Sequence, residues 1–180
     1  AIPSSPTMHM LKVSIVISVV FVVCLVSVWG SDDVERPKVQ CVTTKGKIVL
    51  EVYKEWAPIG ARRFVELVDD KFYTDIALYR SVDEFLTQFG ISDREDKKHW
   101  HDEQLKDDVN LHRGIKKYDI SFAGSGPNTR STQLFIAFSD LRFLGQEPWE
   151  TPFARVVSGF DVVDRFYTGY GDMYPFSKAG

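Results

Sequence analysis

Residues 121–136 constrain the fold more than any other stretch. They read Ser-Phe-Ala-Gly-Ser-Gly-Pro-Asn-Thr-Arg-Ser-Thr-Gln-Leu-Phe-Ile. An apolar strand end runs into a loop and returns as a second apolar strand. Gly124 and Gly126 permit backbone angles or close approaches that a side chain forbids, and Pro127-Asn128 is a turn signal. In the returning strand, alternation sends Gln133, Phe135 and Ala137 to one face and Leu134, Ile136 and Phe138 to the other. A glutamine beside a phenylalanine, with bare backbone nearby, suits a grip on a short extended peptide. An ordinary hairpin in a β core produces the same pattern.

The rest of the chain supplies partners for such strands. Residues 39–44 and 47–53 are β-rich and flank Lys45-Gly46, which predicts a hairpin. Ala57-Pro58 ends the second strand. Over residues 59–70, Phe64, Leu67 and Val68 fall at helical spacing, predicting an amphipathic helix. Residues 76–82 and 85–91 are apolar runs about Asp83-Glu84. Residues 92–110 are highly charged and are expected to form a solvated excursion. Strands are expected at 117–124, 132–138 and 152–158, an irregular loop at 139–151, and a second helix at 160–167. Many short strands with two helices predict a mainly β fold: a closed antiparallel barrel of about eight strands with helical caps.

Composition limits the function. Among 180 residues, a net charge of −3 without a basic block gives no nucleic-acid signature. The two cysteines, Cys24 and Cys41, lack metal spacing. Cys24 lies in an apolar run, so no disulfide is expected and Cys41 reads as a small hydrophobe. His99-Trp100-His101 lacks a third ligand in the sequence, so no metal or cofactor is expected.

The first 38 residues stand apart. Residues 1–12 form a leader flank. Residues 13–29 carry no charge, follow Lys12 and precede Asp32, Asp33 and Glu35. Residues 13–30 therefore read as either a cleaved signal peptide or an uncleaved hydrophobic anchor helix, and both remain open. Either directs the domain into the secretory pathway or outside the cell, with an anchored N-terminus in the cytosol. Residues 31–38 form a linker, and residues 39–180 the folded domain.

Residues 121–136 resemble the signature stretch of the cyclophilin-type peptidyl-prolyl isomerases. Likeness in the same order covers about residues 42–170. It includes Thr44-Lys45-Gly46-Lys47-Ile48, Tyr79-Arg80-Ser81-Val82, Phe85-Leu86-Thr87-Gln88 and Phe153-Ala154-Arg155-Val156-Val157-Ser158-Gly159-Phe160-Asp161. The resemblance implies a monomeric, cofactor-free enzyme acting on X-Pro bonds of polypeptides. Arg80 matches the family's catalytic arginine. Phe85, Leu86 and Phe135 match the proline pocket, and Gln88 and Gln133 the glutamines that bind peptide and hold the arginine. Ala123 and Gly124 match the backbone that pairs with substrate, and Phe143 and Leu144 the pair beside the pocket. The family's last strand is expected beyond Gly180, which implies a truncated domain.

Several positions depart from the family pattern. Phe143 replaces a tryptophan and removes an indole N–H, which bears on cyclosporin affinity. Tyr79 replaces a histidine, Asp83-Glu84 a proline-glycine turn, and Gly124 an asparagine. The family's pocket histidine has no clear counterpart, with Trp149 or Glu150 falling nearest. The altered rim supports a second reading, a module that binds proline-containing segments without isomerising them.

Overall fold

The structure is a computed structural model that describes residues 35–109, 114–169 and 171–172. All lie in the compact unit Asp32–Gly180. The apolar run 13–29, with both readings attached to it, lies outside the described residues. Among the described residues, no helix is long and apolar enough to cross a membrane.

Seven strands form one antiparallel sheet: β1 (Lys38–Thr43), β2 (Gly46–Val52), β3 (Arg80–Val82), β4 (Leu86–Phe89), β5 (Asp119–Phe122), β6 (Leu134–Ala137) and β7 (Ala154–Ser158). Their order is β1-β2-β7-β5-β6-β4-β3. The mainly β architecture agrees with the sequence. Among the described residues, however, the sheet has seven strands and two edges rather than a closed ring of about eight.

Burial follows from position in this order. In β2, Ile48, Leu50 and Val52 alternate inward, because a strand near the sheet's edge has one covered face. The central strands β5 and β6 are buried at every residue. Leu134 and Ile136 join the main core with Phe64, Phe122 and Phe153, and Phe138 packs against it. Phe135 and Ala137 join a second cluster on the other face. The alternation expected of residues 133–138 therefore holds, and the two faces serve different purposes.

Helix α1 (Pro58–Asp69) starts with proline at its first turn and buries Ala61, Phe64 and Leu67. Its first amides find their acceptor far along the chain. Asp108 accepts from Ile59 N at 2.7 Å and Gly60 N at 2.9 Å. The same carboxylate accepts from Arg130 Nη1 at 3.1 Å, and both side chains are fully buried.

Three expectations need correction. Within the apolar run 76–82 a strand is expected over 76–79, before Arg80; the strand is instead β3, which begins at Arg80 and pairs with the four-residue β4. The second helix stops at Val163 as α3 (Phe160–Val163). Beyond it Arg165 N and Phe166 N bond the carbonyls three residues back, and Phe166 still reaches the core. The charged excursion is docked rather than solvated. It contains a third short helix, α2 (His99–Asp102). Lys97 Nζ and Trp100 Nε1 each reach Asp70 at 2.7 Å. His101 Nδ1 lies 3.0 Å from Thr132 Oγ1. Cys41 packs against the core, and burial pushes its thiol up to about 11.

Candidate active site

The register of three strands assembles the site. Arg80 opens β3 opposite Gln88 of β4, and Gln88 lies opposite Phe135 of β6. Gly90 lets β4 close onto the approach to β6. It has a φ of +104°, and a Cβ there would lie 2.4 Å from the Thr132 carbonyl oxygen. This closeness sets Gln88 beside Gln133.

A polar chain crosses the strands. Arg80 Nη1 donates to Gln88 Oε1 at 3.3 Å. Gln88 Nε2 donates to Gln133 Oε1 at 3.3 Å. Tyr79 Oη donates to the same Gln133 oxygen at 2.6 Å. Burial raises the Tyr79 pKa, outweighing the opposing effects of Gln88 and the Arg80 charge. The hydroxyl therefore keeps its proton at neutral pH.

An apolar wall stands beside this chain. Leu86 and Phe135 form the second cluster with Ile115, Ala137 and Leu141, and Phe85, Ala123 and Leu144 pack against it. The Arg80 guanidinium lies 5.4 Å from the Phe85 ring centre. The Phe143 ring is 5.7 Å from Phe85 and 67% exposed, so it forms an open rim. Two concavities lie elsewhere. One of about 170 Å³ is lined by Asp83, Lys117 and Phe166. The other, about 840 Å³ and open, is lined by Lys116, Tyr118 and Phe160. Neither contains Arg80, Gln88 or Phe135. The constellation is thus a shallow face bounded by a cation, two amides and aromatic rings.

The loop after β5 completes one side. Ala123 N already donates to the Gln133 carbonyl at 2.9 Å. That leaves the Ala123 carbonyl and Gly124, rather than the Ala123 amide, as the backbone groups able to pair with an added strand. A Cβ on Gly124 would sit 3.3 Å from Arg130 Cγ and Thr129 Oγ1, and 3.5 Å from Trp149 Cδ1. Of the two residues near the missing pocket histidine, Glu150 turns into its own loop and accepts from Gly145 N at 2.8 Å. Trp149 is the one beside Gly124.

Arg80, Gln88, Gln133, Leu86 and Phe135 come together on this face, Phe85, Ala123 and Leu144 pack against its apolar wall and Phe143 stands at the rim, whereas Gly124 has its neighbours in Thr129, Arg130 and Trp149. Sequence reasoning missed Asp172. Gly171 bridges Ser81 on the outer edge of β3, and the Asp172 carboxylate accepts from Arg80 Nε. That hydrogen bond first, then the arginine's charge, holds its carboxyl below the usual carboxylate range. No local signal marks a partner 92 residues away. The Tyr79 contact was equally hidden, although its place beside Arg80 could have drawn attention to it.

A mainly β sheet that sets an arginine and two glutamines beside a small apolar wall offers hydrogen bonds for an extended peptide next to a seat for an apolar side chain. The family model for "Cyclophilin type peptidyl-prolyl cis-trans isomerase/CLD" matches residues 38–177. Peptidyl-prolyl cis-trans isomerase ppi1 of Schizosaccharomyces pombe is 33% identical over 140 residues, 71% of this chain and 83% of that protein. Peptidyl-prolyl cis-trans isomerase 9 of the same yeast is 30% identical over 139 residues; the match covers 73% of this chain but only 22% of that protein. A crystal structure of a cyclophilin-type isomerase from Cryptosporidium parvum has the same fold, with a TM-score of 0.62 and 20% identity over 72% of this chain and 83% of that one. The chain belongs to the cyclophilin-type peptidyl-prolyl cis-trans isomerase family.

Proposed function

We infer that this isomerase accelerates rotation about X-Pro bonds in polypeptides, with Arg80 as the catalytic group. Rotation of a peptide bond faces a barrier of about 18–20 kcal/mol, because the nitrogen lone pair is shared with the carbonyl. In the twisted transition state that pair localises on the imide nitrogen. A donor aimed there binds the transition state more tightly than the ground state, which is the condition for catalysis. No covalent bond breaks, so neither a nucleophile nor a general base is required.

Arg80 suits this role. Its Nη1 is held by Gln88 and its Nε by Asp172. Nη2 makes no hydrogen bond among the described residues. Phe85, Leu86 and Phe135 would hold the proline ring, with Leu144 packed against the same cluster and Phe143 at the rim. Gln133, the Ala123 carbonyl and Gly124 would bind the peptide backbone by strand addition. The observation that carries the reading is the Arg80–Gln88–Gln133 chain set against that wall. The Cryptosporidium parvum protein, also solved in the presence of the dipeptide Ala-Pro, adds support for proline-containing substrates.

The test compares cis-to-trans exchange of a short X-Pro peptide with the full chain and with Arg80→Ala. A lost charge-assisted hydrogen bond corresponds to a fall of about 10- to 100-fold in kcat/KM. Equal rates would overturn the assignment. The Asp172 carboxylate on Arg80 favours a second reading, peptide binding without turnover. NMR exchange spectroscopy would then detect bound peptide but no accelerated cis–trans exchange.

A secretory or extracellular location is part of the proposal. It is supported by the uncharged run 13–29 between Lys12 and the acids at 32, 33 and 35. Protease protection in microsomes tests it. A monomer is proposed, as is a complete closed ring of about eight strands, which would pair the two edges of the seven-stranded sheet.

A further inference from the structure

The two glutamines raise a question of polarity. A side-chain amide has an acceptor end and a donor end, and either can face a substrate. Here the chemistry of the neighbours settles the direction. A guanidinium only donates. Arg80 Nη1 at 3.3 Å therefore requires the oxygen of Gln88. Gln88 then presents its NH2 group to Gln133, which must answer with its own oxygen, again at 3.3 Å. Both contacts are long for hydrogen bonds and hold the amides loosely.

The short contact comes from the other side. Tyr79 Oη lies 2.6 Å from the same Gln133 oxygen. Two donors then occupy the two lone pairs of that carbonyl. Gln133 Nε2 has no partner among the described residues. Tyr79 is fixed independently of its hydroxyl, because its backbone N–H donates to the Gln88 carbonyl at 3.1 Å.

We propose that Tyr79 is a positioning residue, whose hydroxyl locks the Gln133 amide with its oxygen inward and its NH2 group toward the carbonyl of a bound peptide. This rests on the isomerase reading of the site. Tyr79 touches neither the imide nitrogen nor the proline ring; it acts through Gln133. Removing the hydroxyl frees Gln133 to rotate and present its oxygen to the substrate carbonyl, where two acceptors repel. The loss falls on peptide binding rather than on the twisting step.

The test uses the full chain and a capped tetrapeptide with a central Ala-Pro bond. Tyr79→Phe keeps the ring and the backbone bond. It is expected to lower kcat/KM about five- to tenfold, mainly by raising KM, with an unchanged melting midpoint. Tyr79→His, which restores a ring donor, is expected to recover most of the loss. In a Gln133→Ala background the Tyr79→Phe change should add nothing. Wild-type rates for Tyr79→Phe, or an undiminished loss in the Gln133→Ala background, would overturn the proposal. Inactive wild-type protein would instead sink the isomerase reading. The side-chain amide signals of Gln133 in a ¹⁵N NMR spectrum then decide the positioning role. They should shift or broaden in Tyr79→Phe, and unchanged signals refute the lock. Should Tyr79→Phe fail to fold, Tyr79→Leu, which also lacks a donor, carries both readouts.

Discussion

Arg80 divides its nitrogens among different neighbours. Nη1 serves Gln88, Nε serves Asp172, and the guanidinium plane lies near Phe85. Such division fixes a long side chain that would otherwise sample many rotamers. The Asp172 side chain is 61% exposed, so water screens its contribution. Asp172→Asn is therefore expected to change kcat/KM by less than about fivefold, well below the effect of Arg80→Ala. A steady-state comparison of the two variants decides this. Because the carboxyl sits below its ordinary 3.8, the ion pair forms above that range and is lost as pH falls through the lowered value. Arginine stays charged, and burial keeps Tyr79 protonated. The pH–rate profile should accordingly be flat between about pH 5 and 8. A titration step in that window would point to a group outside this constellation.

At the scale of elements, the strongest dependence runs from α1 to the loop entering β6. Asp108 receives two amides of the helix's first turn and the Arg130 guanidinium in one buried place. Arg130 Nη2 also donates to the Lys106 carbonyl at 2.5 Å, and Leu105 N donates to the Arg130 carbonyl at 2.7 Å. Helix, excursion and signature loop are thereby held as one piece. Asp108→Ala leaves a buried arginine without its principal counter-charge and is expected to cost about 3–5 kcal/mol. Urea unfolding measures this, and a loss below ~1 kcal/mol would mean that Arg130 finds another partner. The sequence disclosed α1 because its apolar spacing is local. It did not disclose the cap, because Ala57 at the helix start offers no acceptor and Asp108 lies 48 residues beyond Gly60. The excursion was misread for a similar reason. Lys97, Trp100 and His101 look polar in sequence, and only the positions of Asp70 and Thr132 draw them inward.

Across the whole molecule, one core supports the face that carries the site. Phe64 of α1 packs against Phe153 at 5.1 Å between ring centres and is 2% exposed. Phe153 in turn meets Phe122 at 5.1 Å, where β5 ends beside the signature loop. Phe64→Ala should cost about 3–5 kcal/mol through lost burial and the cavity left behind. Chemical denaturation measures it, and a loss below ~1 kcal/mol would indicate that the core closes over the gap. Alternation within residues 133–138 and the apolar stripe of α1 by themselves determined two elements and the faces they bury, because side-chain direction follows the local backbone period. The resemblance picked out Arg80, Gln88 and Phe135, which the strand register brings together as the candidate site. Tertiary structure alone decided how far β3 extends, that Asp172 meets Arg80, that Tyr79 meets Gln133, and that Asp108 caps a distant helix. Those outcomes depend on which segments meet in space, and hydrogen-bond partners dozens of residues apart leave no periodic trace in the order of amino acids.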